Sequence, residues 1–172
     1  AAIEAGKYKD EIVPYTLPDG TVVDADGTPR PGTTAEALAG LKLAFDENGT
    51  VTAGTSSPLT DGATAVLVCS ADYAAKNNLK VMAKIKSMAI SGCAPEIMGI
   101  GPVGASQKAL ERAGLTIDDI DIVELNEAFA SQSIATVRDL GIDEAKLNVD
   151  GGAIAIGHPL GATGARIVGK AA

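Results

Sequence analysis

An alternation of short apolar runs with helix-patterned stretches begins at Ala63, continues to the C-terminus, and restricts the fold more than any other feature. Residues 63–69 form a nearly unbroken apolar run ending at Cys69, the pattern of a strand covered on both faces. An Ala- and Lys-rich helix is expected over 71–78. Residues 81–90 place Lys84 and Lys86 on one face and Val81, Ala83 and Ile85 on the other, as in a half-covered strand. A helix over 103–113 has Pro102 near its start and Gly114 after its end. Residues 120–125 read as a buried strand. Residues 128–140 read as a helix, with Ala130, Ile134 and Val137 at helical spacing and Gly141 as its stop. A further strand is expected over 147–156 and a small-residue helix over 161–172. Such an order implies an α/β fold of layered helices and sheet.

Residues 1–52 differ in character. Pro14, Pro18, Asp19-Gly20, Asp26-Gly27, Pro29 and Pro31-Gly32 break any long element, and only a short helix over 35–43, capped by Thr33-Thr34, is expected. Asn48-Gly49-Thr50 matches a glycosylation sequon, but Asn-Gly reads better as a hairpin turn. Aromatics make up only 3% of the chain and Trp is absent, so its core must be aliphatic with close backbone approach.

The formal net charge of −8 argues against a nucleic-acid footprint. It leaves room for an anionic ligand held by local cations and backbone N–H groups. Cys69 and Cys93 give no disulfide framework, and a reducing, cytoplasmic compartment is expected. No apolar stretch is long enough to span a membrane. The chain begins without Met and stops at Ala172 inside an expected helix, so an internal piece of a longer protein is expected.

Three motif-like stretches carry little. Gly99-Ile-Gly-Pro-Val-Gly104 has dinucleotide-binding spacing, yet Ser91 to Met98 separates it from any strand. Residues 164–171 nearly spell a phosphate loop but put Ala171 where Ser or Thr is needed. The two cysteines read as structural, since neither has a histidine near it in sequence.

The stretch from Asn148 to Gly164 is different. It holds the only histidine, His158, between Gly157 and Pro159 on a strand-to-helix turn crowded with glycine. A helix starting near Gly161 adds partial positive charge, which favours a neutral imidazole acting as base or hydrogen-bond donor. The second candidate is Asn126-Glu127, where a buried strand hands over to a helix, a place where α/β sheets gather ligands. On its own, Asn126 reads as a helix cap.

Together these segments resemble the thiolase family. The resemblance rests on Asn126-Glu-Ala-Phe129, Asn148-x-x-Gly-Gly-Ala153, and Gly157-His-Pro-x-Gly-x-Thr-Gly164. It is joined by the segment from Gly49 to Gly62 and by Pro95-Glu-Ile-Met-Gly-Ile-Gly-Pro102, and it runs from about residue 30 to the end. The wording around 50–62 is closer to degradative 3-ketoacyl-CoA thiolases than to biosynthetic ones.

The resemblance implies a layered α-β-α-β-α thiolase fold, truncated here. Residues 1–52 would be the remainder of a loop domain, 53–80 the last strand and helix of the N-terminal half, and 81–172 a truncated C-terminal half. It implies an acyltransferase that cleaves 3-ketoacyl-CoA with CoA, or runs the reverse condensation. Its partners would be acyl-CoA and CoA, with CoA a substrate and no separate cofactor or metal, and the intact parent would be a homodimer or homotetramer. His158 matches the family's thiolate-activating, oxyanion-holding histidine, and Asn126 the asparagine that positions a water in an oxyanion site. Ser57 and Arg30 match CoA contacts, Met98 and Phe129 match the lining of the acyl and pantetheine channel, and Gly157 accompanies His158 at the site.

The departures matter as much. Neither Cys69 nor Cys93 falls in the family's cysteine motifs, so no turnover is expected of this chain alone. Asp150 stands where Asn is more usual, and Ala37 stands where some relatives carry Ser. The competing readings are a non-catalytic thiolase-like protein that binds CoA esters or lipids, and a ketoacyl-synthase relative. The Asn126-Glu-Ala-Phe segment and the single histidine point away from the latter.

Overall fold

The computed structural model describes all 172 residues. Its helices follow from local start and stop signals. Helix α1 (Ala35–Ala39) begins where the Thr34 side chain accepts the Ala37 N–H, and it ends at Gly40, four residues short of the expected span. Helix α2 (Ala71–Lys76) is capped by Ser70, whose hydroxyl accepts from the Tyr73 N–H. Helices α3 (Gly101–Ala113) and α4 (Ala130–Leu140) both stop at a left-handed glycine, Gly114 and Gly141, each with φ of 67°. Helix α5 (Ala153–Ile156) is a single turn, and α6 (Leu160–Ala171) follows it.

The first 52 residues are mostly turns, as their sequence implies. A short hairpin pairs the two-residue strands β1 (Tyr15–Thr16) and β2 (Val22–Val23) in antiparallel register. A second turn forms at Asn48-Gly49: Asp46 accepts the Gly49 N–H, and Leu43 bridges Thr52 in antiparallel sense.

Three expected strands need correction. Residues 63–69 and 81–90 form no backbone ladder. Apolar patterning sets which residues prefer burial, but a strand also needs a neighbour's N–H and C=O groups, and neither segment has one. Residues 81–90 are instead held from the side by α3: Ser87 donates to the Ala109 carbonyl at 2.7 Å and Arg112 to that of Met88 at 2.6 Å. The expected strand over 147–156 survives only at its first residues, where Leu147 bridges Val123 in parallel. Asn148 (φ 43°) and Gly151 (φ 109°) then turn the chain into α5, because both adopt left-handed backbone that no strand accepts. The run 120–125 keeps one paired residue, Val123, bonded to Lys146 and Asn148 at 2.9 Å each.

Helix α4 packs against α3 and the 3₁₀ turn Pro95–Ile100. The glycines of the 99–104 stretch serve this packing. Gly99 abuts Gln132 of α4 and Gly104 abuts Ser91, so the spacing that mimics a nucleotide fingerprint is a contact device here. Full burial is concentrated around the 148–163 turn, where Ala153, Asn148, Gly157 and Thr163 are among the most enclosed residues of the chain.

The N-terminal turns dock on α6. Tyr8 donates to the Asp150 carbonyl at 2.6 Å, and Lys170 joins Glu11 at 2.7 Å and Asp150 at 3.1 Å while lying 4.6 Å from the Tyr8 ring centroid. This accounts for the unusual Asp150, since a carboxylate there completes a paired cluster that an amide could not. Burial works against the Lys170 ammonium, but hydrogen bonds and charge from Glu11 and Asp150 outweigh it and raise its pKa above the usual lysine value. The stability tied to this raised value is therefore present below about pH 10.4, the free lysine value, and fades as pH rises through the folded one. Asp150→Asn should cost about 0.5–1 kcal/mol at neutral pH. Urea titrations should show that gap closing at alkaline pH as Lys170 loses its proton; a gap independent of pH would refute the ion-pair account.

Candidate active site

The site is built where the 123–126 run ends and the glycine-rich turn returns beside it. Asn148 makes the join. Its Oδ1 accepts the Leu125 N–H at 2.8 Å and its Nδ2 donates to the Leu125 carbonyl at 2.9 Å, so the side-chain amide replaces a neighbouring peptide. The left-handed backbone that aims it this way is one Asn tolerates better than most residues.

Glu127 makes the second join. One carboxylate oxygen accepts from Asn148 Nδ2 at 3.0 Å and the other from the Ile154 N–H at 3.1 Å, at the start of α5. The carboxylate presses on Gly152, where any Cβ would overlap it. Glu127 thus holds the Asn126 end of the chain against the turn that leads to His158.

A third segment, residues 56–60, threads between the two. Ser56 bridges Phe129, and Ser57 donates to the Ala128 carbonyl through both its N–H (3.0 Å) and its hydroxyl (3.2 Å). The His158 N–H donates to the Pro58 carbonyl at 3.2 Å, and Leu59 bridges His158 in parallel.

These constraints bring together two side chains 32 residues apart. Asn126 Nδ2 lies 3.4 Å from His158 Nε2, and His158 Nδ1 lies 2.8 Å from Thr163 Oγ1 on the first turn of α6. Asn126 Oδ1 is buried without a partner. An imidazole and an amide so placed, near a twelve-residue helix N-terminus, suit the stabilisation of negative charge developing on oxygen.

Of the residues singled out from sequence, Asn126, His158, Gly157, Ser57 and Phe129 lie in this one region. Phe129 meets Phe45 edge-on, with ring centroids 6.3 Å apart. Met98, 75% exposed on the Pro95–Ile100 turn, and Arg30, exposed in the N-terminal loop with no side-chain bond or ion pair, are not drawn into the polar centre. Cys69 and Cys93 are exposed free thiols without a bond to His158. Sequence reading passed over the roles of Glu127, Asn148 and Thr163. The available signal was their polarity beside apolar runs, but which groups they meet depends on the turn.

Comparison with known proteins shows the family and the fold. The family model described as Thiolase, N-terminal domain matches residues 1–72, and the one described as Thiolase, C-terminal domain matches residues 79–172. The chain belongs to the thiolase family. It is 55% identical over 171 residues to an acetyl-CoA acetyltransferase of Paracoccus denitrificans, covering 98% of this chain and 44% of that protein. It is 56% identical over 175 residues to a 3-ketoacyl-CoA thiolase of Vibrio parahaemolyticus, covering 97% of this chain and 45% of that one. The crystal structure of human mitochondrial 3-ketoacyl-CoA thiolase in complex with CoA superposes with a TM-score of 0.89 at 48% identity, over 97% of this chain and 42% of the human one. The layered thiolase fold is thereby shown, and the chain spans less than half the length of the relatives it matches.

Proposed function

We propose that this chain supplies the histidine and asparagine side of an active centre that cleaves 3-ketoacyl-CoA with CoA, or runs the reverse condensation. The observation that carries the reading is the convergence of Asn126 and His158 at 3.4 Å, across 32 residues, beside the 56–60 segment that contains Ser57. The names of the relatives support the acyl-CoA chemistry.

In this reading a cysteine thiolate contributed by sequence outside these 172 residues attacks the 3-keto carbon. The bond between carbons 2 and 3 breaks, leaving the shortened acyl group on sulfur and acetyl-CoA as its enolate, which then takes a proton. The thiol of a second CoA attacks the acyl thioester and frees the cysteine. His158 activates the thiolate as a hydrogen-bond donor and afterwards faces the oxyanion; Asn126 orients a water toward the same oxygen. One such donor is worth about 2.7–4 kcal/mol in the transition state. CoA is a substrate, and no separate cofactor is required. Ser57 and Arg30 belong to the CoA side, and Met98 and Phe129 to the acyl and pantetheine channel.

The proposed setting is degradative fatty-acid metabolism in the cytoplasm, consistent with two free thiols. The intact enzyme is proposed to be a homodimer or homotetramer. The large apolar side chains left exposed along 63–69 and 81–90, among them Leu67, Met88 and Ile90, need cover from further chain or subunits. The domain division proposed is 1–52 as loop domain, 53–80 as the end of the N-terminal half and 81–172 as C-terminal half.

The test is direct. The intact enzyme, given a 3-ketoacyl-CoA and CoA, should release acetyl-CoA, whereas the 172-residue chain alone should not. Acetyl-CoA release by the short chain would overturn the assignment of the nucleophile. Saturable binding of CoA esters by the intact protein without any release would move the reading to a non-catalytic binder.

A further inference from the structure

The Thr163 hydroxyl is enclosed, with the residue 4% exposed, and its Oγ1 has a single partner, His158 Nδ1 at 2.8 Å. Two proton arrangements fit that contact, and they differ in how many buried groups they leave unpaired. If the imidazole donates from Nδ1, the threonine proton has no acceptor. Nε2 then accepts from the Asn126 amide, and Asn126 Oδ1 stays buried without a donor. Two buried polar groups are orphaned. If the threonine donates to Nδ1, the ring proton sits on Nε2. Rotating the Asn126 amide by half a turn then brings its oxygen to that proton, and only the amide NH₂ remains free. Unpaired buried groups are costly, so the arrangement with one orphan prevails over the arrangement with two.

We propose that Thr163 is a positioning residue that fixes the His158 tautomer, placing the ring proton on Nε2, the nitrogen that faces Asn126. The tautomer assignment stands on geometry alone; its catalytic meaning rests on the thiolase reading above. In this tautomer the neutral ring presents a donor toward the Asn126 side, where a thiolate or a developing oxyanion would sit. The amide NH₂ of Asn126 then occupies the enclosed position that its oxygen holds in the unrotated amide, as the one group left unpaired. The ring donor is oriented before any ligand arrives, which is the condition for charge stabilisation without reorganisation. The location of Thr163 helps: it lies on the first turn of α6 and follows His158 by only five residues.

Because His158 is the only histidine, its two ring nitrogens can be read without assignment in ¹⁵N-labelled 172-residue protein. At a pH where the ring is neutral, long-range ¹H–¹⁵N spectra should show a pyrrole-type Nε2 and a pyridine-type Nδ1. Thr163→Ser should keep that pattern. Thr163→Val, which retains the shape and removes the hydroxyl, should move the two resonances toward each other as the tautomers mix, with the backbone amide spectrum otherwise preserved. A pyrrole-type Nδ1 in the parent protein, or an unchanged pattern in the valine variant, would overturn the proposal. In the intact enzyme, Thr163→Val should lower kcat about tenfold with KM little changed, an effect that serine rescues. Tautomer mixing without loss of kcat would leave the role of Thr163 standing and would count instead against the thiolase use of His158.

Discussion

Replacing His158 with alanine in the intact enzyme is expected to lower thiolytic turnover by about 10³-fold or more, since the change removes thiolate activation and an oxyanion donor together. The loss should appear in kcat and kcat/KM alike, because both contributions arise in the transition state and not in the binding of CoA. Stability should fall as well, but by a smaller measure. His158 is the only partner of the Thr163 hydroxyl and the one contact of the Asn126 amide, so its removal orphans buried groups at a cost of about 1–3 kcal/mol. Measuring unfolding and turnover on the same preparation separates the two effects. The matching control is Cys93→Ser. That thiol is exposed, and its one contact is a weak 3.8 Å approach to the Ile97 carbonyl, so turnover should stay near the parent value. Parental activity in the histidine variant would remove the basis for the proposed chemistry.

The helices and the strands were legible in the sequence to different degrees, and the reason is physical. Helix hydrogen bonds close within four residues, so Ser70, Gly114 and Gly141 mark real ends wherever the helices sit. A strand is defined by a partner that may lie anywhere in the chain. The apolar runs at 63–69 and 81–90 announce a preference for burial but say nothing about a neighbour, and neither forms a ladder. The run at 147–156 misled for another reason: its apolar residues are real, but Asn148 and Gly151 turn the backbone before a strand can continue.

The site shows the same split. His158 and Asn126 stood out because each occupies a hand-over between elements, and because the two motifs occur in order. Glu127 and Thr163 could not be placed that way. Glu127 acts by meeting Asn148 and the Ile154 N–H across the turn, and Thr163 by facing the ring nitrogen turned away from Asn126. Both roles exist only after the fold closes. The acidic Asp150 had looked like a mild irregularity in a turn, and it became intelligible once Lys170 and Tyr8 were seen beside it.

Gly157→Ala should be the most damaging single-methyl substitution near the site. Gly157 has φ of 98° and ψ of 165°, a region essentially closed to residues with a Cβ. An added Cβ would also overlap the Thr60 side chain. The backbone term and the overlap are each worth about 1–3 kcal/mol, so together they cost about 2–6 kcal/mol. That is a large share of the roughly 5–15 kcal/mol that holds a typical domain together. The two terms can be separated. Thr60 Oγ1 is buried without a partner, so trimming Thr60 to alanine removes an orphaned group and most of the overlap at little cost. The double variant Gly157→Ala with Thr60→Ala should therefore recover part of the stability lost to the single change, read as the shift in urea midpoint. Full recovery would mean that the left-handed backbone costs nothing here, and no recovery would mean that Thr60 does not crowd the position. Turnover should remain low in the double variant even as stability returns. The His158 N–H that meets the Pro58 carbonyl hangs on the same peptide, so relaxing Gly157 out of its conformation moves the ring away from Asn126.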